Sequence, residues 1–128
     1  MRPMRLVASS LTIVLLLAPS AALGAEEPAL ARARILYNAA DYDGAIAAAR
    51  VAQKQRGAAD GAALVLARAH LEHFRVSPPP VDLTGADDLI EARRALNGIV
   101  RAHLGPRDQV DLLVALGQSL FLSDTFGP

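Results

Sequence analysis

The chain has 128 residues, 52% of them hydrophobic and only 4% aromatic, with a formal net charge of zero. That length holds one domain, the shortage of aromatic residues disfavours a β-sandwich, and the balanced charge leaves no electrostatic footprint for nucleic acid. Twelve of the 13 basic residues are arginine, a compositional bias rather than a phosphate-recognition pattern.

The first 24 residues have the layout of a secretory signal. Arg2 and Arg5 form a positive start, Leu6 to Leu17 an apolar run, and Pro19 breaks it before the small residues around Ala22-Leu23-Gly24. Cleavage before Ala25 fits, and one residue later fits nearly as well. The run is short for a membrane span, so a membrane is expected as a partner only if this segment stays uncleaved. The expected compartment is the periplasm or the exterior. No cysteine occurs, so export brings no disulfide and packing alone must hold the fold. Removal of the leader leaves 104 residues with 11 basic and 13 acidic side chains.

Five helices are then expected. Glu26, Glu27 and Pro28 suit a helix start, and Leu30, Ala33, Leu36, Tyr37 and Ala40 follow at helical spacing. Asp41-Tyr42-Asp43-Gly44 reads as a tight corner with a capping aspartate. Ala45, Ile46, Ala49 and Ala52 form the apolar face of a second helix, ended by Gly57. Asp60 is the expected cap of a third, which carries Leu64, Leu66, Ala67, Leu71 and Phe74. Ser77-Pro78-Pro79-Pro80 breaks it as a stiff, extended loop. Thr84 with Asp87 resembles a capping box for a fourth helix through Leu89, Ala92, Leu96 and Ile99. Gly105-Pro106 stops that helix. Asp108 is the expected cap of a fifth, with Val110, Leu113, Leu116, Gly117 and Leu120 as its apolar residues. No stretch alternates with the two-residue period of half-buried strands.

A cassette recurs along these helices. Arg32-Ala33 precedes Tyr42, and Gly117 precedes Phe126, each aromatic nine residues after the small residue. Leu66-Ala67 begins a middle copy 34 residues after the first, and the step from Ala67 to Gly117 is 50 residues, the excess falling at the proline loop. The period and the small-residue placement resemble the tetratricopeptide repeat. Leu116-Gly117 with Leu120 carries the likeness best; Ala45 in the first copy, and His70, Ala95 and Pro106 in the middle copy, occupy further positions of the pattern. The tryptophan and several aromatics of that pattern are missing.

The resemblance implies an all-α fold: antiparallel helix pairs in a right-handed solenoid of about two and a half repeats, spanning 25–128. The repeats would run 26–59, 60–109 with a Pro-rich insertion at 76–85, and an incomplete 110–128. It also implies a concave groove lined by Arg34, Tyr37, Asn38, Arg68, Leu71, Glu72, Gln118 and Phe121, where two arginines and an asparagine suit a peptide carboxylate. Repeat arrays need neighbours to bury their faces. Val114, Leu116, Leu120, Phe121 and Leu122 are therefore expected to leave an apolar patch, with a longer natural chain or self-association through this uncapped helix as the outcome.

His70 and His73 share a helix face but lack the four-residue spacing of a zinc-protease helix, and His70 falls at a core position of the repeat. Asp87, Asp88 and Glu91 are candidate paired carboxylates, yet they occupy a helix start where the dipole favours acids. No Gly-rich phosphate loop, Ser/His/Asp set or cysteine nucleophile is present. The expectation is an exported, non-catalytic scaffold for a protein or peptide partner, without cofactor or nucleic acid. The alternatives are a small metal-binding or hydrolase-like protein using His70 and His73, or a fragment without independent function.

Overall fold

The computed structural model describes residues 26–77 and 86–126. The leader, the proline loop, the Thr84 cap and the corner aromatic match at Phe126 all involve residues or side chains outside that description. The described residues form five α-helices and one short 3-10 turn, with no strand among them: α1 Pro28–Asn38, α2 Tyr42–Gln53, α3 Ala59–Val76, α4 Ala86–Asn97, the turn Arg101–His103, and α5 Pro106–Phe126.

The first corner forms as its residues dictate. Glu27 accepts a hydrogen bond from the Leu30 amide at 2.9 Å, and Pro28 takes the first turn. Asp41 caps α2 by accepting from the Gly44 amide at 2.9 Å. A Cβ on Gly44 would lie 2.5 Å from the Asp41 carboxylate, so any larger residue there would make that carboxylate shift. Ala40 lies past the end of α1 with φ +60°, in the corner rather than on the helix face. Gly57, with φ +87°, turns the chain between α2 and α3.

Two expected caps are displaced. α3 starts at Ala59 behind Ala58, which makes no side-chain cap. Asp60 instead reaches forward, accepting from the Val100 amide at 3.1 Å and pairing with His103 at 2.6 Å. α5 starts at Pro106, not at an Asp108 cap; proline at a first turn lacks only an amide that would have no helical partner. Asp108 thereby lies within the first turn, free to serve a long-range contact.

Consecutive helices pack on one another, and α3 also touches α1 and α5. Every residue of α3 from Ala62 to Leu71 is buried except Arg68. Its neighbours meet it largely through alanine: Ala33 from α1, Ala49 and Ala52 from α2, Ala92 from α4 and Ala115 from α5 all belong to the buried core. Side chains this small let helix axes come close.

α5 departs from the expected pattern. Its buried side chains are Leu112, Ala115, Ser119 and Leu122, one per turn. Val110, Leu113, Leu116 and Leu120, expected to be its apolar face toward the fold, are exposed, and Gly117 has no atom within 4 Å of where its Cβ would stand. Gly117 is thus not the counterpart of the buried Ala33 and Ala67. Of the patch expected at the uncapped end, Val114, Leu116, Leu120 and Phe121 are exposed whereas Leu122 is buried.

The contrast between equivalent-looking small residues is measurable by chemical denaturation. Ala67→Leu will destabilise the fold by about 1–3 kcal/mol or more through overpacking. At low protein concentration, where the single copy is what unfolds, Gly117→Ala will stabilise it by about 0.5–1 kcal/mol, as expected for glycine in an open helix interior.

Candidate functional site

α1, α3 and α5 converge on a cleft of about 290 Å³. Its walls are Arg34, Tyr37 and Asn38 from α1, Val65 and Arg68 from α3, and Arg107, Asp108 and Asp111 from α5. Gly61 sets the approach of α1 to α3: a Cβ there would come within 3.1 Å of Leu30 and 3.5 Å of the Arg34 guanidinium.

The arginines expected to greet a ligand are engaged within the fold. Arg34 forks onto Asp108, Nη1 to Oδ1 at 3.1 Å and Nη2 to Oδ2 at 2.8 Å, while its Nε donates to Glu26 at 2.7 Å. Burial alone would lower its pKa, but the hydrogen bonds and charges of Asp108 and Glu26 outweigh that and raise it. Arg68 donates to Asp111 at 3.0 Å and lies over the Tyr37 ring at 4.5 Å, a cation–π contact. The Tyr37 pKa is raised by burial, against the opposing Arg68 cation. Tyr42 adds a second ring 5.8 Å from Tyr37. One layer further, Gln118 donates to Glu72 at 3.2 Å, and Glu72 also holds Arg75 at 2.8 Å. Arg34–Asp108, Arg68–Asp111 and Glu72–Gln118 therefore form a polar ladder that docks α5.

The structure thus brings Arg34, Tyr37, Asn38 and Arg68 to one cleft and places Glu72 and Gln118 beside it, paired to each other. Leu71 is completely buried, and Phe121 stands on the solvent side of α5, so neither belongs to the groove. The sequence-based groove omitted Arg107, Asp108 and Asp111. Their signal was present: Asp108 and Asp111 are one turn apart, as acids matching Arg34 and Arg68 across helices should be.

Two separately considered clusters turn out to be one. Asp88 accepts from His70 Nδ1 at 2.7 Å through one oxygen and from His73 Nδ1 at 2.6 Å through the other, pinning the start of α4 to α3. His70 is buried and its Nε2 has no hydrogen-bond partner among the described residues. His73 Nε2 lies 3.6 Å from Asp43. Glu91 pairs with Arg94 on its own helix, and Asp87 is exposed. Among the described residues no group of three or more metal-ligating side chains has the geometry to hold a metal ion. With Nδ1 of both histidines engaged by one carboxylate, the arrangement acts as a clasp between helices.

Comparison with protein-family models, curated proteins and solved structures gives no match.

Two measurements probe these contacts. A double-mutant cycle of Arg34→Ala and Asp108→Ala will show a coupling of about 1 kcal/mol, as expected for a partly exposed bidentate pair, measured by denaturant unfolding. The hydrogen bond to Asp88 raises the His73 pKa, despite some loss from burial and with help from the charges of Asp88 and Asp43. A raised folded-state pKa gives stability that is complete below the unfolded value and lost as pH rises through the folded one. The melting temperature will therefore fall between pH 6 and pH 8, and His73→Gln will flatten that part of the profile by a few degrees.

Proposed function

We propose that the protein is an exported, non-catalytic scaffold of tetratricopeptide-like helix pairs whose cleft anchors an acidic group of a peptide partner. The observation that carries this reading is the cleft itself, formed where the faces of three non-consecutive helices converge. The alternating adjacency supports the pairing: α1 packs on α3 and α3 on α5, as the first helices of successive hairpins would. The leader-like composition of residues 1–24 supports export.

The contents of the cleft restrict the ligand. Its volume, about 290 Å³, lies at the small end for ligand sites and suits one side chain or chain terminus rather than a long segment. Three guanidinium groups and two carboxylates line it. The excess is positive, so a carboxylate is favoured over a cation. Because Arg34 is committed to Asp108 and Glu26, its task is to hold α5 against α1. Asn38, exposed at the edge of the cleft, offers an amide donor and acceptor to a peptide backbone.

Fluorescence anisotropy with acidic peptides bearing a free C-terminus tests this. Saturable binding is expected, weakened several-fold by Asn38→Ala and by amidation of the peptide carboxylate, and reduced by added salt. Equal affinity for acidic and neutral peptides would remove the carboxylate assignment. Absence of saturable binding across a peptide array would reject the cleft as a peptide site.

A further inference from the structure

We propose that the outward face of α5 is a homodimer interface, in which two copies of the chain cross antiparallel at Gly117. Val110, Leu113, Val114, Leu116, Leu120 and Phe121 are each between 37% and 67% exposed. On a helix of 3.6 residues per turn, Val110, Gly117 and Asp124 fall in one row, with Leu113 and Leu120 on one side and Val114 and Phe121 on the other. That row lies opposite Leu112, Ala115, Ser119 and Leu122, the side chains that dock α5 on the fold. The six apolar side chains are therefore separate from the cleft lining, and only Arg107 stands at the margin of both.

Three features choose a second copy as the occupant. The first is area. The six side chains expose on the order of 600 Å² per chain, as large as the largest apolar patch of an ordinary monomer. Two such faces together offer up to about 1,200 Å² for burial, where standard-size stable interfaces begin. The second is shape. Gly117 sits mid-stripe with open space above it, flanked one turn before by Leu113 and Val114 and one turn after by Leu120 and Phe121. That layout is self-complementary about a two-fold axis through Gly117: each bulky pair meets the partner's opposite pair, and the missing Cβ atoms permit close approach. The third is charge. In the antiparallel crossing, Asp124 reaches the partner's α5 near its first turn, where the helix dipole is positive and Arg107 stands. A parallel crossing would instead set Asp124 against Asp124.

The test uses the full chain. Sedimentation velocity from low to high micromolar concentration should show a reversible monomer–dimer equilibrium. Leu113→Glu with Leu120→Glu should abolish it while leaving the far-ultraviolet circular dichroism unchanged, since both side chains are exposed. Because the chain has no cysteine, Gly117→Cys provides a clean second readout: mild oxidation should yield a disulfide-linked dimer. Val110→Cys should not, as its copies would lie about 20 Å apart in the antiparallel arrangement. A folded wild-type chain that is monomeric throughout overturns the proposal and leaves the stripe to a different protein or to further helix of the natural chain. A dimer indifferent to the glutamate substitutions overturns it as well, and efficient cross-linking through Val110→Cys overturns the antiparallel geometry.

Discussion

The near-complete burial of α3 is the constraint on which the rest depends. A helix enclosed on almost every side cannot be positioned by a single apolar stripe. It must be held by what surrounds it, and here the surroundings are mostly alanine. Alanine gives close contact but removes little apolar surface per residue, so packing defines how near the helices come more firmly than how they are rotated or slid. The polar contacts on α3 supply that missing information. Asp60 reaches the segment between α4 and α5, His70 and His73 hold Asp88 at the start of α4, and Arg68 and Glu72 meet α5. Of these five polar residues of α3 only His70 is buried, and the others are partly exposed at the helix margins, so orientation is encoded along the same helix that the apolar core encloses.

α5 shows what happens at the edge of such an arrangement. One row of its side chains enters the core, a flanking row of acids and amide forms the ladder, and the remaining side is apolar and open. A helix that is apolar on two opposite sides belongs between two layers. Only one layer is present in a single copy of the described residues.

The five helices were legible because their ends are marked by the chemistry that makes them: Glu27 and Pro28, Asp41 with Gly44, and Gly57. The errors came where several apolar residues offered rival faces. α5 contains ten aliphatic or aromatic residues within its 21, and the repeat register favoured the row through Gly117. The row that docks combines Leu112 and Leu122 with the small Ala115 and Ser119, and the acids flanking it, Asp108 and Asp111, meet Arg34 and Arg68 only with α5 in this rotation. The caps assigned to Asp60 and Asp108 failed for a different reason. A carboxylate near a helix start has a local option and a long-range option, and His103 and Arg34, distant in sequence, supply the second. The repeat resemblance put Arg34, Tyr37, Asn38 and Arg68 on one side of the fold, and the structure brings these four to one cleft. Their partners on α5 required knowing which way that helix faces.

The same scarcity of aromatic residues that disfavours a β-sandwich has an optical consequence. The chain contains two tyrosines and no tryptophan. Tyr37 forms part of the cleft wall beneath Arg68, and Tyr42 is stacked at a tilt beside it. Nearly all of the protein's near-ultraviolet absorption and intrinsic emission therefore originates within a few ångströms of the cleft, and the protein carries its own reporter there.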